Sequence, residues 1–146
     1  MKKFKFRLEK VLYARNVVKD EKLKLLMLAT GELRAQEMKL EHLESEFLRN
    51  EVGETVTTIE AIQLAGSYQA RLKEEIGFTQ VAILDAQKKV EEAMEVYIEA
   101  SKEAKTLASL KERRKEEHKE AAAKEEREFL DELAVQRAGQ RAADEE

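Results

Sequence analysis

The chain has 146 residues, of which 40% are charged and 5% aromatic, with no proline, cysteine or tryptophan and five glycines. That balance excludes disulfides and thiolate metal sites, and it leaves too few apolar side chains for a large globular core. Ala, Glu, Lys, Leu and Arg without proline are the composition of coiled coils and long helices. The net charge of −4 hides a gradient: residues 1–24 carry nine Lys/Arg against three acids, and residues 25–110 nine against sixteen.

The N-terminus, "MKKFKFRLEK", is basic but lacks the continuous apolar stretch of a secretory signal. No run approaches the ~18 apolar residues of a membrane span. A helical period follows, and the spacing predicts a first helix over about 4–50. Its seam runs Leu26, Ala29, Leu33, Gln36, Leu40, Leu43, Phe47, in alternating steps of three and four. The stretch "RNEVGETVTTIEA" then interrupts the pattern. Asn50 and Gly53 suit a helix C-terminus, and Thr57 with Glu60 fits a capping box. A turn is expected at about 51–57.

A second helix is predicted over about 58–136, with a frayed tail at 137–146. Its seam is Ile62, Ala65, Gln69, Leu72, Ile76, Thr79, Ile83, Ala86, Val90, Ala93, Tyr97, Ala100, Ala104, Leu107. Seven heptads of this kind define a coiled coil. The expected fold is therefore all-α: a long two-helix antiparallel coiled-coil hairpin with an extended C-terminal helix, forming one domain. Pairing from the turn outwards sets Leu43 against Ile62, Leu33 against Leu72 and Gln36 against Gln69. It also places Phe4 and Leu8 beside Ala104 and Ala100, and Val11 beside Tyr97. Helix two then continues alone from about Ala104, supported by i,i+4 ion pairs such as Arg113–Glu117, Glu120–Lys124 and Arg127–Asp131.

In this register several apolar side chains have no place on the seam. Phe6 and Leu12 fall outside it. In the run Leu23–Ala29, Met27 and Leu28 point elsewhere, and Val81 with Leu84 is expected at the same height on helix two. Together they would form an apolar girdle, the usual mark of a partner surface or of self-association. Phe47 and Tyr68 bring aromatic area near the turn, as core or as a recognition patch. Gly31 and Gly77 are expected level with each other, as a soft point. The candidate partner-binding residues are thus Phe6, Leu12, Met27, Leu28, Phe47, Tyr68, Val81 and Leu84. No glycine-rich phosphate loop, cysteine nucleophile or paired histidines occur. His42 and His118 read as solvated surface residues. No catalytic residue, metal site or cofactor is expected, and no nucleic-acid motif is visible.

The pattern F-x-L-x-x-V-L-x-x-R within "FRLEKVLYARNVVKDE" (Phe6–Glu21) resembles the flagellar export protein FliJ family, as does the ending "FLDELAVQR" (Phe129–Arg137). The resemblance implies a non-enzymatic, cytoplasmic component of the bacterial flagellar type III export apparatus, peripheral to the inner membrane. By that likeness it would be a coiled-coil stalk in the ring of the export ATPase, touching the export gate's cytoplasmic domain and assisting export chaperones. A stalk of another rotary ATPase or virulence secretion system, or a prefoldin-like holdase, would share the hairpin.

Overall fold

The computed structural model describes residues 2–50 and 58–146. Two helices carry the fold: α1, Glu9–Arg49, and α2, Ile59–Asp144. The class is all-α, as composition and period require. The expected turn at about 51–57 and the cap at Thr57 lie outside the described residues. Thr58 fills the capping role instead, its hydroxyl accepting the N–H of Ala61 at 3.2 Å. α2 stays helical to Asp144, through most of the segment expected to fray.

α1 starts at Glu9, later than the expected residue 4, and the sequence explains why. From Lys3 to Leu8 basic and apolar residues alternate one for one, a period of two that no helix can place on one face. Accordingly Phe4, Phe6 and Leu8 are half-buried, whereas Lys3, Lys5 and Arg7 are exposed. The N–H of Glu9 bonds the carbonyl of Phe6 at 3.2 Å, and that of Leu12 bonds Leu8 at 2.9 Å, which turns the segment into the helix.

The contacts divide the chain into two compact units, one of Val17–Ser101 and one of Met1–Asn16 with Lys102–Glu146. In the first, residues 17–49 of α1 run antiparallel to residues 59–101 of α2. Leu26 and Leu43 are buried on one helix, Leu72, Thr79, Ala86 and Ala100 on the other. The remaining predicted seam residues of this unit are half-buried, apart from Ile62, which is 48% exposed. The buried positions of α1 are leucines, and those of α2 are Thr79 and alanines apart from Leu72. The buried Thr79 hydroxyl donates to the Glu75 carbonyl at 2.8 Å, which satisfies it within its own helix.

The register differs from the expected one. Tyr68 reaches Glu46, and the Gln69 amide reaches the carbonyl of Phe47. Gln36 lies level with Thr79 and Ala82 instead of facing Gln69, and Leu25 lies level with Glu92 and Val96. Relative to the expected pairing, α2 is displaced by about two heptads. A slip by whole heptads leaves every seam residue on the seam, which is why the seam itself was legible and its pairing was not. Two consequences follow. Gly31 and Gly77 are not level. Val81 and Leu84 are not level with Met27 and Leu28, and stand roughly 10 Å further along the axis at 1.5 Å per residue.

In the second unit, the N-terminal residues 2–16 run antiparallel to the start of the α2 segment that begins at Lys102. Leu12 and Ala104 are buried, with Leu8, Leu107 and Leu110 half-buried around them. The exposure expected for Leu12 is thus overturned: at 6% it is core, and Val11, expected on the seam, is 43% exposed. Stepping back from Leu26 by fours and threes lands on Leu12, so the heptad rule, carried upstream, accounts for it. Ion pairs flank this packing, Arg15 with Glu103 at 2.6 Å and Lys111 with Glu9 at 2.8 Å. Each is solvent-exposed and contributes about 0–1 kcal/mol. The N-terminus reaches His118, two heptads beyond the expected Ala104. His118 is not a free surface residue: its ring packs 5.6 Å from that of Phe4, and Nε2 lies 3.0 Å from the Lys2 carbonyl oxygen.

From Lys119 to the end, α2 is exposed except for half-buried Ala122 and Leu133. Arg113 pairs with Glu117 as expected, at 3.4 Å, whereas Lys124 turns to Glu128, at 3.9 Å, instead of Glu120.

Candidate functional site

Three apolar surfaces stand out, each built by a different local rule. The first is a groove of about 660 Å³ on α1, lined by Lys24, Met27, Leu28, Gly31, Glu32 and Ala35. Leu26 occupies the seam, so its neighbours Met27 and Leu28, one and two residues on, are turned about 100° and 200° away from it. They are 64% and 67% exposed. Gly31 and Ala35, one and two turns later, are small and leave the groove open.

The second surface is on α2, where Phe78, Val81 and Leu84 project from the helix and are 68%, 58% and 60% exposed. Met27, Leu28, Val81 and Leu84 are therefore all exposed, as the sequence predicts, but they form two patches at different heights and no single girdle. Phe78 stands between the seam residues Ile76 and Thr79, so the heptad pattern does not single it out.

The third surface belongs to the N-terminal unit. Phe4, Phe6 and Leu8 with Leu110 form the apolar part of an open cavity of about 670 Å³, whose rim carries Lys5, Arg7, Arg114, Glu117 and His118. Phe6, expected to be uncovered, is half-buried here. Glu117 is engaged by Arg113 and Arg114 on its own helix, at 3.4 and 3.1 Å. The rim is therefore mainly cationic.

Near the end of α1, Phe47 is half-buried on the seam. Tyr68, 39% exposed, donates its hydroxyl to Glu46 at 3.0 Å. That bond, with smaller help from desolvation and from the Glu46 charge, raises the phenol above its ordinary value. Glu46 also pairs with His42 at 3.4 Å. The Gln69 amide donates to the carbonyls of Phe47, at 3.1 Å, and of Asn50. These are among the carbonyls a helix leaves unpaired at its C-terminus. Gln69 thus caps α1 from the opposite helix, a role that seam position alone did not suggest.

Among the described residues no His, Cys, Asp or Glu group gathers in an arrangement that could hold a metal ion, and no helix is long and apolar enough to cross a membrane. These surfaces offer shape, apolar area and charge, and the class of the molecule is a two-helix, all-α coiled-coil protein.

The sequence matches the family model described as "Flagellar FliJ protein" over residues 4–143. The chain belongs to that family, whose members are non-catalytic components associated with flagellar export. No curated protein and no solved structure matches it.

Proposed function

We propose that this chain is a cytoplasmic coiled-coil stalk and escort of the flagellar type III export apparatus, peripheral to the inner membrane. In this reading it binds the export ATPase ring, contacts the cytoplasmic domain of the export gate and assists export chaperones. Family membership supports the setting. The observation that carries the binding role is the exposure of Met27 and Leu28 on α1 and of Val81 and Leu84 on α2. These side chains lie off the seam, and covering one fully contributes about 1.5–3 kcal/mol to a complex.

The test is ATP hydrolysis by the purified cognate export ATPase, titrated with the chain. Stimulation that saturates near stoichiometric ratios is expected. Met27→Ala with Leu28→Ala, and separately Val81→Ala with Leu84→Ala, should weaken binding to the ATPase or to the gate domain while helicity stays unchanged. Absence of stimulation together with suppressed aggregation of unrelated unfolded clients would favour the holdase. If both double variants bind every partner normally, the exposed patches have no part in the assembly.

A further inference from the structure

We infer that the outer face of the N-terminal segment, made by Lys3, Lys5, Arg7, Lys10 and Tyr13, docks on the surface of an anionic lipid bilayer. This contact is direct, and it is independent of the ATPase and gate binding proposed above.

Charge singles the segment out. Residues 2–10 hold five of the chain's 27 Lys/Arg and one of its 31 acids, so they are net +4 in a chain that is −4 overall. Glu9, the one acid, is drawn to Lys111 of α2 at 2.8 Å. Among the described residues no ion pair engages Lys3, Lys5, Arg7 or Lys10. Nearby cations are answered locally: Arg15 pairs with Glu103, and Arg113 and Arg114 pair with Glu117.

The free cations share one side. From Lys3 to Leu8 the period of two turns Phe4, Phe6 and Leu8 towards α2 and leaves Lys3, Lys5 and Arg7 exposed on the other side. Alternate residues of an extended chain stand about 6–7 Å apart, so these three form a row. α1 continues it. Leu12 is buried at 6%, and Lys10, two residues earlier and exposed, is turned about 160° away from it. Tyr13, one residue later, is 72% exposed. Its apolar ring and polar hydroxyl suit the depth of lipid headgroups.

A bilayer fits this face better than other polyanions do. The cations stand on the side away from α2, where a flat surface reaches all of them. Phe4 and Phe6 are half-buried and not free to stack on bases, and residues 2–15 contain no Asn, Gln, Ser or Thr to read base edges. The compact ammonium of lysine suits a fluid array of headgroups, whereas one fixed carboxylate or phosphate favours the fork of arginine. α2 lies behind the segment, about 8–10 Å further from such a surface. That distance is about one Debye length at physiological salt, so the acids of residues 124–132 oppose the contact weakly.

Cosedimentation of the full chain with vesicles tests this, using phosphatidylcholine alone and phosphatidylcholine with about a third phosphatidylglycerol. Binding is expected to the anionic vesicles only, and it should weaken with rising salt. Each cation near such a surface strengthens binding about fivefold, so Lys3→Gln, Lys5→Gln and Arg7→Gln together should weaken it roughly a hundredfold with helicity unchanged. Tyr13→Ala should lower the part of the binding that survives high salt. Lys73→Gln, Lys88→Gln and Lys89→Gln together remove the same charge from exposed positions of α2 outside this unit. That control should bind like the parent. No binding to anionic vesicles at low salt would overturn the inference, as would equal binding to neutral ones or equal loss in the two triple variants. A labelled single-stranded DNA that binds more tightly than the anionic vesicles, and is lost in the same Lys3/Lys5/Arg7 variant, would assign the face to nucleic acid instead.

Discussion

Gln69 sets the register of the hairpin formed by residues 17–101, and its replacement should change which residues face each other more than it changes stability. Its amide makes two bonds to the carbonyls that end α1. Such bonds contribute about 0.5–1.5 kcal/mol each. Against this, Gln69 Oε1 is buried without a partner, which costs about 1–3 kcal/mol. The two nearly cancel, so Gln69→Leu should leave unfolding free energy within about 1 kcal/mol of the parent. What leucine removes is the distinction between heptads: a slip by whole heptads keeps the seam apolar, and only the position 69 amide binds the end of α1. The assay is a distance measurement between spin labels on cysteines introduced at the exposed positions Glu37 and Ala70. In the observed register these sites are offset by about 16 Å along the axis, at 1.5 Å per residue. In the register two heptads (about 21 Å) away the offset falls to about 5 Å, with the helix axes about 8–10 Å apart. The parent should give one long distance, and Gln69→Leu a second, shorter population. A single short distance in the parent would refute the register, and an unchanged single distance in Gln69→Leu would refute the role of the amide.

Leu12→Ala removes a side chain that is 6% exposed, and should cost about 2–3 kcal/mol by urea unfolding, whereas its neighbour Tyr13→Ala, 72% exposed, should stay within about 0.5 kcal/mol. Gly31→Ala and Gly77→Ala each place a methyl where nothing lies within 4 Å, so each should stabilise its helix by up to about 1 kcal/mol, read as a higher melting temperature. The Glu46 bond raises the Tyr68 phenol above its ordinary 10.0 in the folded chain. Its contribution is therefore whole below that value and lost as the pH rises through the raised one. Unfolding followed from pH 9 upward should show this alkaline loss, and Tyr68→Phe should flatten it.

Much of this molecule was legible in the residues, and the division between what was and was not follows from symmetry. Which side chains face inward depends on position modulo seven, and the run from Leu26 to Phe47 and from Ala65 to Leu107 states that directly. Which residue faces which depends on an absolute offset, and a heptad pattern repeats the same answer every seven residues. The shortest turn sets Leu43 against Ile62. The structure instead lets α2 run nearly three turns, at 3.6 residues per turn, before Gln69 meets the end of α1. The misplacement of Leu12 has another origin. The 3.6-residue period does not run through Phe4 and Phe6, where the chain alternates by two, so the phase of α1's first turns follows from the later heptads and not from these rings.

The exposed apolar residues divide in the same way. Met27, Leu28, Val81 and Leu84 were recognisable because an apolar residue off the seam of a two-helix structure has nowhere to be buried. Their grouping into one girdle depended on register and fell with it. The cavity around Phe4 and Phe6 could not be read from any single segment, since residues 4–8 and 110–118 meet only when the offset is known. In the observed register the uncovered part of α2 starts at about Lys119 instead of Ala104. That shift isolates Phe129, Leu130 and Leu133 as apolar side chains on a stretch that the N-terminal segment does not cover.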